Sequence, residues 1–308
     1  MQNLNQTTIQ KSISFEGVGL HSGLVSKVRV LPAEDNQGIL FKRIDLKDNN
    51  LIEANFKNVS SAKLCTNLTN SYGASVSTVE HLLAAFYING VDNAIVEINN
   101  LEVPIMDGSS RDFIDLINNS GIKKQKSKRK FLKILKKVEL EENGKFISIE
   151  PNINGFEVDF QLVYTNKIIG NQRNCINFNS EDLSDIYLSR TFCLYEDIEN
   201  IKKIGLAKGG SLENAVVVKG TEILNEGGLR NKKEFVNHKI LDLAGDFLLS
   251  GYRILGNVKC VQGGHYLSNV FLKEIFKDSS NYEEVTLNNI QVLKENIKIT
   301  VNKIAVNA

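Results

Sequence analysis

Three titratable side chains share one face of an otherwise apolar segment. In "EFVNHKILDLAGDFLLSG", residues 234 to 251, His238, Asp242 and Asp246 recur at i, i+4 and i+8, the spacing of successive helical turns. An imidazole and a carboxylate one turn apart can converge on one ion, and both are ordinary ligands of zinc. A His-Asp ion pair on a solvated face is the plainer alternative. Ile240, Leu241, Leu243 and Ala244 make the helix mostly buried, however, and there an unpaired charge is costly.

A catalytic metal needs a further protein ligand and an open position for water. "VEHLL" offers Glu80 beside His81, about 100° apart around a helix, so that one can bind an ion while the other reaches a water. No H-E-x-x-H is present, which excludes the common zinc-protease helix. His265, in "QGGHYLSN", follows two glycines and a strand-like run. It reads either as a loop residue without a role or as an acid held charged by Asp246. Thr191, between Arg190 and Phe192, can steady an oxyanion or be an ordinary strand threonine. Lys239 can meet a phosphate or simply be a surface lysine.

These residues need elements to hold them. Residues 7 to 57 have a strand-and-turn texture, "STVEHLLAAFYING" reads as a helix with a Ser/Thr capping signal closing on Asn89-Gly90, and "NAIVEI" as a strand. A second helix, "RDFIDLINNSG", ends at Gly121. The later part repeats the order: strands, a helical segment at "SEDLSDIYLS", the His238 helix, a glycine and the strand "NVKCVQ". The echo suggests two similar α+β lobes, 1–125 and 126–308, meeting at a groove. The basic run Lys123 to Lys137 reads as a solvated linker entering a basic strand. Residues 190 to 220 read as a βαβ unit, either plain packing or an insert for a hydrocarbon ligand.

A net charge of +1 excludes a globally basic surface, and no nucleic-acid partner is expected. No apolar stretch approaches the roughly 20 residues needed to span a bilayer. The four cysteines, Cys65, Cys175, Cys193 and Cys260, form no C-x-x-C pair, which fits free thiols in a reducing compartment. With no secretory signal visible, a cytoplasmic location is expected. A monomer is the default.

Taken together, "GVGLHSG", "LCTNL", "STVEHLLAA", "PIMDGSS", "SRTFCLYEDI", "GLAKGGSLENAVV", "NEGGLRNKKEFVNHKILDLAGD" and "QGGHYLSN" occur in the order of one family. The chain closely resembles the UDP-3-O-acyl-N-acetylglucosamine deacetylases, zinc amidases of lipid A synthesis in Gram-negative bacteria. The resemblance implies an α+β fold, two lobes in a β-α-α-β sandwich, with a βαβ insert at about residues 193–222 forming an acyl passage. It implies Zn2+, with Fe2+ possible in its place, on His81, His238 and Asp242. By motif position Glu80 is the general base, His265 the general acid paired with Asp246, and Thr191 the oxyanion donor, so a bell-shaped pH-rate profile is expected. Lys239 is implied on the diphosphate side of the substrate, with Leu64, Cys65, Phe192, Leu194, Ile198 and Gly210 in pocket or passage. His21 matches the family without a sharp role. The chain departs from the family at "VYTNKIIG", where Val163, Asn166 and Lys167 replace Asp, His and Pro on the nucleotide side. The segment after Tyr282 has no confident match and reads as a short strand or a loose terminus. A zinc hydrolase for another acetylated sugar nucleotide and a non-catalytic nucleotide-sugar or lipid binder are the rival readings.

Overall fold

The computed structural model describes residues 4–286. Its fold is an α+β sandwich in which two sheets lie outside and two buried helices lie between them. The first sheet runs, in spatial order, Ile13–Val18, Val25–Pro32, Ala94–Ile98, Ile39–Arg43 and Leu51–Glu53. Its strands alternate inward apolar and outward polar residues, so Val28, Val30, Phe41, Val96 and Ile98 are buried while Arg29, Lys42 and Glu97 point away. In the second sheet the nine-residue strand Arg253–Val261 is the hub. It pairs antiparallel with Lys145–Pro151, and parallel with both Phe156–Val163 and Lys130–Ile134.

Between the sheets lie helices α1 (Glu80–Asn89) and α5 (Glu234–Leu248). Both are apolar nearly all round, the pattern of a helix enclosed on every side. In α5 every residue but Lys239 is buried. Their axes come close because Gly245 has no side chain: a Cβ there would sit 2.1 Å from the Glu80 carbonyl oxygen. The glycine therefore sets how near the His238 helix lies to the Glu80-His81 turn. Outside this pair lie α2 (Arg111–Ser120) and α6 (His265–Lys277), and a four-residue turn, α3 (Ser184–Tyr187), leads toward the insert.

The helix, glycine and strand order occurs twice. α1 returns through Gly90 to Ala94–Ile98, and α5 returns past Gly251 to Arg253–Val261, both glycines at positive φ. The insert is a βαβ unit: Phe192–Leu194, helix α4 (Tyr195–Lys203), and Val216–Lys219 parallel to the first strand.

Two local expectations change. The Ser/Thr signal before α1 caps nothing; the N-cap is Val79, without a side-chain bond, and Thr78 Oγ1 instead donates to Glu102 Oε1 at 2.8 Å. The basic run is strand rather than linker. Ile122–Lys128 pairs antiparallel with Asn5–Ile9, because its lysines alternate outward while Gln125 turns in to bond Asn93 and the Ala33 carbonyl. The chain then enters the second sheet at Lys130–Ile134. Finally, Tyr282–Thr286 forms a strand against Lys130–Ile134, and the rest of the C-terminal segment lies outside the described residues. No helix among the described residues is long and apolar enough to cross a membrane.

Candidate active site

Three side chains from two helices meet where α1 and α5 approach. His81 Nε2 lies 3.5 Å and His238 Nε2 3.4 Å from Asp242 Oδ1, with all three groups buried. One ligand atom from each lies within 4.8 Å of the others. Asp242 Oδ1 has no hydrogen-bond partner, and a buried carboxylate oxygen left so is costly. A divalent cation bonded to the two imidazoles and this oxygen would relieve it, so the donor set fits a metal.

The surrounding contacts prepare these groups for ligation. The Ser189 carbonyl, 3.1 Å from His238 Nδ1, can only accept, so the proton sits on Nδ1 and leaves Nε2 free. Burial pushes His238 down to about 3, against the pull of Asp242, so the ring is neutral. Burial also works against the Asp242 carboxylate, but His238, Lys239 and His265 hold it well below the ordinary range. Lys239 Nζ, 2.8 Å from Asp242 Oδ2, binds the oxygen turned away from the histidines. This lysine is therefore no plain surface residue.

The other titratable groups stand one layer off. His265 is not in a loop but opens α6, one residue after the N-cap Gly264. Its Nδ1 is 2.9 Å from Asp246 Oδ2, and its Nε2 is 3.7 Å from Glu80 Oε1. Burial disfavours the imidazolium, but Asp246, Glu80 and Asp242 outweigh it and push His265 up to about 10. Burial raises the Glu80 carboxyl, against the pull of His265 and His81. A proton acceptor and a proton donor thus flank one small space. Asp246 faces His265 and not the three converging ligand atoms, which separates the members of the α5 stripe.

Several contributors were not visible in the sequence reading. Thr66 donates its backbone N–H to Glu80 Oε2 at 3.0 Å and its hydroxyl to Asp246 Oδ1 at 2.6 Å, tying the two carboxyl groups together. Buried Glu234 accepts both the Arg190 guanidinium and the Arg190 backbone N–H, while Thr191 N–H donates to Gly108 O. The segment that supports His238 thereby also fixes Thr191. The only signal for each was its place inside a quoted stretch, Thr66 in "LCTNL" and Glu234 in "NEGGLRNKKEFVNHKILDLAGD". Cys65, beside this group, stays a thiol, since burial and Glu80 push it up to about 12.

Over residues 6–277 the chain matches the LpxC family, UDP-3-O-acyl N-acetylglycosamine deacetylase. The chain belongs to this family. It is 38% identical over 301 residues to the UDP-3-O-acyl-N-acetylglucosamine deacetylase of Haemophilus ducreyi, covering 96% of this chain and 98% of that one. To the enzyme of the same name from Wigglesworthia glossinidia brevipalpis it is 40% identical, covering 93% and 97%. To that of Haemophilus influenzae it is 41% identical, covering 92% and 93%.

In this family member two cavities meet at Leu64, Thr191 and Phe192. One, of about 660 Å3, has a mixed polar and apolar lining and carries Lys145, Tyr164, Lys239, Gln262 and His265. The other, of about 640 Å3, is mainly apolar and runs under the insert past Cys193, Ile198, Gly210 and Leu224. Leu194 is not on its wall; it packs on the core, while Thr191, Phe192 and Cys193 line the cavity. His21 lines the same cavity, with Nδ1 3.4 Å from the Ala207 backbone N–H. In the departing loop Val163 is 38% exposed, Asn166 donates to the Gly220 carbonyl at 2.8 Å, and Lys167 is exposed beside them. That loop is thus anchored to the insert.

Proposed function

We propose that this chain hydrolyses the N-acetyl amide of a UDP-3-O-acyl-N-acetylglucosamine, releasing acetate and a free 2-amino sugar, the committed step of lipid A synthesis. The convergence of His81, His238 and Asp242 beside Glu80 and His265, where a cavity of mixed lining meets an apolar one, carries the reading. Two imidazoles and a carboxylate suit zinc, and they suit Fe2+ as well. Such a cation supplies Lewis acidity, polarising the acetyl carbonyl and making a water acidic enough to ionise near neutral pH. Among the described residues only three protein ligands converge, which favours an open catalytic position over a closed structural one.

The chain's own groups divide the rest. Glu80 takes the proton of the attacking water as the new carbon–oxygen bond forms. Thr191 donates to the carbonyl oxygen as it gains charge. His265, kept protonated by Asp246, gives its proton to the nitrogen as the carbon–nitrogen bond breaks. The acyl chain lies under the insert, and Lys239 faces the other cavity, which receives the nucleotide side.

Two outcomes follow. The purified protein is expected to release acetate and amine in equal amounts from the 3-O-acylated sugar nucleotide. Removing the acyl chain should lower kcat/KM by about 100-fold or more, since remote binding energy is used at the reacting centre. Equal rates with and without the chain would remove the passage from the mechanism. Replacing Asp246 with Asn should lower turnover by about 10- to 100-fold, the usual cost of losing an orienting partner, with metal content kept. An Asp246→Asn protein that loses its metal while the wild type keeps it would instead make Asp246 a ligand.

A further inference from the structure

The outer edge of the insert exposes what a folded protein usually covers. Ile204, just past the end of α4, is 56% exposed and Leu212 is 47% exposed. Leu24, 49% exposed, joins them from the first half of the chain, because the loop at Gly23 lies against Lys208. Lys202, Lys203 and Lys208 stand exposed among them, and between Ile201 and Leu212 there is no carboxylate; Glu199 and Glu213 fall just outside. Apolar tips ringed by unopposed ammonium groups are the composition of an interfacial membrane-binding surface. The same edge is the rim of the apolar cavity, since Ile201, Lys202 and Leu212 line it.

From this juxtaposition we propose that the insert edge docks on the surface of an anionic bilayer, with Ile204, Leu212 and Leu24 entering the headgroup boundary and the three lysines meeting lipid phosphates. At nine residues α4 is too short to span, so the contact is peripheral. Charge complementarity selects the partner: a segment with three cations and no anion fits a surface of clustered negative headgroups. Docking there places the mouth of the apolar cavity against the phase from which an acyl chain enters. The proposal takes from the deacetylase reading only that the ligand carries such a chain, and its deciding readout is vesicle binding, with acetate release as a control.

The test is sedimentation of the full chain with vesicles of phosphatidylglycerol and phosphatidylcholine in equal amounts, against vesicles of phosphatidylcholine alone. Binding is expected to the anionic vesicles, and to weaken as salt is raised. Each basic residue near such a surface strengthens binding about five-fold, so Lys203→Glu with Lys208→Glu should weaken it by at least 25-fold. Ile204→Glu should weaken it about ten-fold through lost apolar insertion. Ile204, Lys203 and Lys208 are not on the cavity wall, so acetate release from dispersed substrate by the Ile204 variant and the double lysine variant should stay near wild type and report intact folding. The milder Ile204→Ser serves if the glutamate variant does not fold. Absence of binding to anionic vesicles, equal binding to phosphatidylcholine alone, or folded variants that bind like wild type would each overturn the proposal. Acetate release without vesicle binding would overturn it and leave the deacetylase reading standing.

Discussion

Stripping divalent metal with a chelator is expected to abolish acetate release and, on adding back zinc, to restore it. The expectation rests on Asp242 Oδ1, which is buried between two imidazole nitrogens and has no hydrogen-bond partner. Without a cation that oxygen is left unsatisfied, so the stripped protein should also melt earlier, and metal should raise the melting temperature in a concentration-dependent way. Metal analysis should find about one ion per chain, held by a three-ligand site with an open position. Replacing His81 or His238 with Ala should lower metal content and turnover together. Metal-free protein with undiminished turnover would sink the metal assignment, and metal binding without any deacetylation would support a structural ion in a non-catalytic binder.

How much of this site was legible depended on sequence distance. The His238-Asp242-Asp246 face was readable because a helix writes its neighbours into a local period. The spacing alone did not show that Asp246 faces His265 instead of the ion; that follows from α6, which places His265 within 2.9 Å. His81 lies 161 positions from Asp242, so periodicity could not join them, and only the ordered family motifs implied their meeting. Thr66 and Asp246 stand 180 positions apart, and Arg190 and Glu234 stand 44 apart. Contacts of that kind are decided by how the two layers stack, and no local pattern encodes them.

The fold divides in the same way. Alternation in the first sheet and the Asn89-Gly90 stop were plain in the sequence, since a strand face and a left-handed cap each need particular residues locally. The lysine-rich run was misread as linker because charge dominated its composition. Its strand character depends on Asn5–Ile9 pairing with it and on Gln125 finding buried partners, both remote in sequence. The insert's order was legible, but which of Cys193 and Leu194 faces the cavity depended on the strand's orientation, which composition does not fix.

Exchanging Glu80 for Gln is expected to lower kcat by about 100- to 10,000-fold, the range assigned to a positioned general base. The change keeps volume and can keep the Thr66 N–H as donor to the side-chain oxygen, so fold and metal content should be retained. What it removes is the charge. Glu80 is buried and its Oε1 lies 3.7 Å from His265 Nε2, so the carboxylate helps hold His265 charged besides its proposed role as proton acceptor. The neutral amide does neither, and both halves of the proton transfer should suffer. Circular dichroism and metal analysis separate this from misfolding or metal loss, and KM should change far less than kcat if the effect belongs to the chemical step. A Glu80→Gln protein of full activity would transfer the base role to another group, and His265, its ring poised between Glu80 and Asp246, would be the residue to examine next.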